Sequence, residues 1–194
     1  MNLRAGLAEA AFYSAAALIL GALVHFALVL SIPMFAQHDA YHRLAQLGSL
    51  DATLALPQAG PQQRLAPYAD PAVASALCSF DLTKGPVRVR APLGRAGFAS
   101  LSFHSRRGAV FYALTDRAAT HGMMEALIAT PKQLRALIAQ EDEDNPSEDL
   151  RIASLAQQGF VLARIFSELP SLYSEAEAQA KLLTCAPEPP PKGG

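Results

Sequence analysis

LCSFDLTKGPVRVRAP, residues 77–92, holds two short runs divided by Thr83, Lys84, Gly85 and Pro86. In the second run Val87 and Val89 alternate with Arg88 and Arg90. A period of two gives a strand one dry face and one wet face. Gly85 can take positive φ, so the spacing predicts two antiparallel strands joined by a hairpin at TKGP. The same signature recurs in FASLSFHS (98–105), where Leu101 and Phe103 alternate with Ser100, Ser102 and His104. AVFYALTD (109–116) follows across SRRG (105–108) as a second hairpin, EALIAT (125–130) is another apolar run, and an antiparallel meander is expected. LRIASLA (150–156) and GFVLARIF (159–166) supply two more strands, with Gly159 at their turn.

Two helices punctuate the strands. Thr130 precedes Pro131 and stands three residues before Gln133, so an N-cap, a proline at the first helical position and a capping-box partner coincide at TPKQLRALIAQ. SLYSEAEAQAKLLT (171–184) reads as a closing helix, and CAPEPPPKGG as a frayed tail, with 187–194 disordered.

Upstream the pattern is different. Between Ala10 and Gln37 there is no Asp, Glu, Lys or Arg, and about 20 apolar residues suffice to cross a bilayer. Residues 10–36 are therefore expected to form one transmembrane helix after a short segment, 1–9. A signal peptide has a shorter apolar core, about 7–15 residues, and no small-x-small site follows Pro33. His25 lies mid-span, where an ionisable group is costly and is read as a neutral, hydrogen-bonded imidazole in preference to a proton relay. Residues 37–71 are expected to hold a membrane-proximal helix and an extended connector, because prolines 57, 61, 67 and 71 oppose a long helix or central strand. The fold class is thus α+β, with an anchor helix, a mainly antiparallel, sandwich-like domain over 72–186 and a closing helix.

Composition excludes some functions. Lys and Arg total 16 against 17 acidic residues, so the basic footprint needed to neutralise nucleic-acid phosphates is missing. Charge around the helix, Arg4 before it and Arg43 after it, leaves the orientation open.

Chemistry-bearing motifs are sparse. His38 and His42 are four apart with Asp39 between them, but a zinc-protease helix needs glutamate in the pair and a third ligand downstream. Tyr41 and Arg43 suit an interfacial anchor better, a ring at the headgroups beside a snorkelling cation. The acidic run EDEDNPSED (141–149) lacks the alternation and central glycine of a calcium loop and reads as solvated. Asp116 and Arg117 end a strand, where polar groups can line a site or simply cap a turn. No nucleophile elbow, phosphate loop or Cys-His pair is present, and no metal or cofactor is expected.

DAYHRL (39–44), DPAVASALCSFDLTKGPVRVRAPL (70–93), FASLSFHSRRGAVFYALTDRAA (98–119) and GFVLARIF (159–166), followed by Cys185, resemble the bacterial membrane proteins of the domain-of-unknown-function 1254 family, in their short single-helix proteobacterial form. The resemblance runs from about Asp39 to Cys185, and its most specific part is the ordered series CxFDL, GPxRVxAP and YALTDRAA. It implies a single-pass inner-membrane protein with a cytoplasmic amino terminus and a periplasmic β-rich domain. It also implies a small neighbouring membrane protein of the domain-of-unknown-function 1214 family as a partner, and it carries no catalytic residue. In an oxidising compartment Cys78 and Cys185 can bridge; otherwise they stay two separate thiols. Two functions follow. One is a non-catalytic, membrane-tethered binding or assembly domain of the envelope. The alternative is an envelope enzyme or small-ligand binder whose site lies around Arg90, His104, Asp116 and Arg117.

Overall fold

The computed structural model describes residues 3–35, 41, 44, 46–47, 52–61, 69–140 and 149–188, and the chain divides into two units, Met1–His38 and Asp39–Gly194. The first unit is one helix, α1 (Leu3–Phe35). Its apolar stretch, Glu9–Ile32, has 24 residues and a mean hydropathy of 2.4, with none of it buried. At ~1.5 Å per residue such a stretch exceeds the ~30 Å of a bilayer core. Phe12, Leu18, Leu23, Phe26 and Leu30 are exposed, as suits a helix solvated by lipid rather than packed on a core. The one hydroxyl near its end stays satisfied: Ser31 Oγ donates to the Leu28 carbonyl at 2.8 Å. These features support a single-pass membrane topology.

The second unit is a two-sheet sandwich. Its elements are β1 (Leu54–Ala55), β2 (Val73–Asp81), β3 (Val87–Pro92), β4 (Ala99–Ser105), β5 (Val110–Thr115), β6 (Met123–Ala129), α2 (Pro131–Ala139), β7 (Arg151–Ala153), β8 (Gln158–Phe166), α3 (Tyr173–Ala180) and β9 (Thr184–Pro187). The first sheet runs β1-β2-β8-β4-β5 and the second β7-β6-β3-β9. Pairing is antiparallel except between β6 and β7.

Alternation decides which side chains fill the space between the sheets. Ala74, Ala76, Cys78 and Phe80 of β2 meet Val161, Ala163 and Ile165 of β8 and Leu101 and Phe103 of β4, with Val87, Val89, Met124 and Ile128 from the second sheet. Each large apolar side chain so buried contributes about 1.5–3 kcal/mol. The helix α3 packs on β2 and β8 through Ala176 and Ala180, both essentially inaccessible, and such small residues let the helix approach the sheet closely. Helix α2 begins as expected: Thr130 accepts from the Gln133 amide and the Gln133 side chain accepts from the Thr130 amide, with Pro131 at the first helical position.

Several expectations change. TKGP is not a hairpin turn, because β2 pairs with β1 and β8 while β3 pairs with β6 and β9, so the segment arches from one sheet to the other. Alternation says which face of a strand is dry but not which strand lies beside it. The meander is likewise replaced by β8 inserted between β2 and β4. SRRG does turn a hairpin, β4 to β5. Gly159 lies within β8, not at a turn, and a Cβ there would sit 2.1 Å from the His104 carbonyl oxygen and 2.5 Å from Phe80. The presumed connector contributes β1 against β2, and the presumed tail contributes β9. Beyond β9 the Glu188 amide donates to the Pro86 carbonyl at 2.8 Å. Both segments are edge additions, held by main-chain bonds that composition does not advertise.

Candidate functional site

The outer face of the second sheet is built around Arg88. Its neighbours in register are Leu127 of β6 and Ala186 of β9. The guanidinium forks onto two carboxylates: Nε and Nη2 donate to Glu188 at 2.6 and 2.8 Å, and Nη1 and Nη2 donate to Asp149 at 3.0 and 2.9 Å. Nη1 also donates to Glu125 at 2.7 Å. Arg90, more exposed, donates to the same Glu125 oxygen through Nε at 3.1 Å. Hydrogen bonds donated to Glu188 and Asp149 hold the Arg88 pKa well above its ordinary value against the opposing cost of burial, so it stays charged. The Arg90 hydrogen bond, with Arg88 behind it, holds the Glu125 carboxyl below the usual range. Such planar, bidentate geometry is what arginine offers and lysine does not.

On the first sheet His104 is nearly buried and stacks on Phe160, with ring centroids 4.7 Å apart and planes 7° from parallel. Its Nδ1 lies 3.1 Å from the Gly108 carbonyl and its Nε2 lies 2.9 Å from Ser102 Oγ. A carbonyl can only accept, which assigns the proton to Nδ1 and makes Nε2 the acceptor of the Ser102 hydroxyl. Burial lowers the His104 pKa below its ordinary 6.5, partly opposed by the Gly108 bond and aided by Arg164. The ring thus acts as a neutral brace under the β4–β5 turn.

That turn borders an open groove of about 430 Å³ lined by Thr83, Ser105, Arg106, Arg107, Gln157 and Gln158. Arg106 Nη1 donates to Gln158 Oε1 at 3.1 Å, and its Cζ lies 5.4 Å from the centroid of the Tyr41 ring. The Tyr41 amide donates to the Arg106 carbonyl at 3.3 Å.

The four polar residues singled out in the sequence do not converge. Arg90 stands on the second sheet and His104 on the first, while Asp116 and Arg117 form a 3-10 turn beyond β5. Register places that turn at the far end of the β4–β5 pair from His104, since Ser100 faces Thr115 and His104 faces Val110. None of the four lines the groove. His38, Asp39, His42, Arg43 and residues 141–148 lie outside the described residues. His25 is part of α1, its ring edge-on to Phe26 at 6.1 Å. Among the described residues no cluster of three or more His, Cys, Asp or Glu is placed to hold a metal ion. Sequence reading missed Arg88 as a hub, and with it Asp149 and Glu188. The one available signal was its place on the wet face of PVRVRAP. Cys78 of β2 and Cys185 of β9 stand at disulfide geometry with Cα atoms 5.9 Å apart, joining the two sheets.

A family model described as "Protein of unknown function (DUF1254)" matches residues 52–187, the sandwich from β1 to the end of β9. The chain belongs to the DUF1254 family. No curated protein matches it. Two solved structures are similar to this DUF1254 chain. The VPA0106 protein from Vibrio parahaemolyticus has 12% identity and a TM-score of 0.47, over 62% of this chain and 29% of that one. A putative uncharacterized protein from Burkholderia cenocepacia has 12% identity and a TM-score of 0.40, over 69% of this chain and 37% of that one. The DUF1254 chain therefore spans about a third of the length of each.

Proposed function

We propose that this DUF1254 protein is a single-pass component of the bacterial inner membrane, amino terminus cytoplasmic, whose periplasmic sandwich has a non-catalytic binding or assembly role in the envelope. The observation that carries the reading is the juxtaposition of Cys78 and Cys185, 107 residues apart in sequence, across the two sheets. Such a bridge persists in an oxidising compartment and is rare in the cytosol. The polar face of the second sheet supports the non-catalytic part, because Arg88, Glu125, Asp149 and Glu188 are spent on one another. A neighbouring membrane protein of the domain-of-unknown-function 1214 family is the proposed partner.

Reporter fusions at the carboxyl end test the orientation: alkaline phosphatase active and a cytosol-only fluorophore dark are expected, and the reverse pattern overturns it. Purification in mild detergent tests assembly. Stoichiometric co-purification with the proposed partner is expected, and a monodisperse protein recovered alone counts against a stable complex.

A further inference from the structure

We propose that the groove beside the β4–β5 turn binds a phosphate oxyanion, supplied by a lipid headgroup or by a soluble phosphate ester. The lining residues include two arginines, Arg106 and Arg107, together with Ser105, Gln157 and Gln158, and none of them is acidic. Its volume, about 430 Å³, falls within the ~300–1,000 Å³ typical of small-ligand sites.

The two arginines rise from a fixed support. Gly108 N donates to Ser105 O at 2.8 Å, Ser105 N to Ala109 O at 2.8 Å and Arg106 N to Gln158 O at 3.1 Å, while His104 braces Gly108 from below. Gln158 and the Tyr41 ring are among the groups that hold Arg106. Arg107 is exposed and makes no ion pair among the described residues. Asp81, two residues before Thr83, is already engaged: it accepts from the Thr83 amide at 3.0 Å and from Gln158 Nε2 at 3.0 Å, with Lys84 beside it. A pair of guanidinium groups with auxiliary amide and hydroxyl donors matches the multi-oxygen acceptor that a phosphate presents.

A headgroup source rests on the single-pass reading, which brings the chain to a lipid surface. Only residues 36–40 separate the last residue of α1 from Tyr41, which bonds to Arg106.

The full chain is reconstituted in nanodiscs of phosphatidylglycerol or of phosphatidylcholine, and in detergent with or without sn-glycerol 3-phosphate, and amide exchange is followed at 105–108 and 156–158. Several-fold slower exchange in phosphatidylglycerol alone, weakened by added salt and lost in Arg106→Gln/Arg107→Gln, assigns a headgroup site. Slowing by glycerol 3-phosphate in detergent assigns a soluble ester. Arg95→Gln, at the opposite end of β4, should behave as wild type. Unchanged exchange under every condition, or an arginine double variant that responds like wild type, overturns the proposal. Failure to stay in the nanodisc would count against the single-pass reading, and the detergent arm would still decide the phosphate site.

Discussion

Arg88 Nε lies 2.6 Å from Glu188 Oε2, a contact between residues 100 apart in sequence. It fastens β9 beside β3 at the residue whose own amide donates to the Pro86 carbonyl, one step past the register pair Val87 and Pro187. With Asp149 on the other fork, the same guanidinium also holds the residue that leads into β7. One side chain therefore clamps both edges of the second sheet.

Removing it should be costly. Arg88→Ala leaves Glu125, Asp149 and Glu188 facing one another, each about a quarter to a third exposed, and a loss of about 2–4 kcal/mol is expected, the lower end reflecting solvent screening. Arg88→Lys keeps the charge but cannot fork onto two carboxylates, so it should recover only part of the loss. Urea midpoints of the two variants check the order; equal midpoints would mean that bidentate geometry is immaterial.

Reduction should loosen the same strand. A bridge between Cys78 and Cys185 closes a loop of 107 residues, worth on the order of 4–5 kcal/mol on the chain-entropy account. Oxidised protein should migrate faster than reduced protein on a non-reducing gel, and Cys78→Ser/Cys185→Ser should melt well below wild type. Two thiols that alkylate freely in the native protein would refute the bridge.

Gly159 cannot carry a side chain without displacing main chain, since a Cβ there meets the His104 carbonyl oxygen of the neighbouring strand. Gly159→Ala should cost at least about 1–3 kcal/mol, the usual range for overpacking. It should also speed amide exchange at the β4–β5 turn, because β4 must move away. A thermal midpoint equal to wild type would show that the strand yields without cost.

Acid should destabilise the sandwich in two stages. His104 has a folded pKa below 6.5, so the unfolded chain takes up the proton first; stability present above about pH 6.5 falls as pH drops toward the folded value. Glu125 has a folded pKa below its ordinary 4.5, so its contribution holds above that value and is lost as pH falls through the folded one. Melting temperature against pH reads both. His104→Phe should flatten the upper stage and leave the lower one intact; a profile that keeps its upper stage would assign that stage to another group.

The capping box offers a local check. Thr130→Ala removes the acceptor for the Gln133 amide, and a loss of about 1 kcal/mol is expected from the urea midpoint. No change would mean that Pro131 alone fixes the start of α2.

Local chemistry was enough to read the longer elements. A charge-free apolar run names a lipid-compatible helix because the bilayer demands length and apolarity and nothing else. Val87, Val89, Leu101 and Phe103 declare the dry faces because side chains alternate strictly along a strand, and Thr130, Pro131 and Gln133 declare a helix start because capping is satisfied within four residues. Partnership was not legible. Alternation is blind to neighbours, so TKGP gave no sign that it arches between sheets, and the brief edge strands β1 and β9 are held by main-chain bonds that any sequence can make. The polar site followed the same rule: Arg88 was marked as solvent-facing by its position, but Glu125, Asp149 and Glu188 become its partners only when segments 37 to 100 residues away close around it. Sequence by itself set the longer helices and strands and which of their faces are dry. Tertiary structure alone chose the neighbours, because pairing free energy depends on contacts between distant residues that no local pattern encodes.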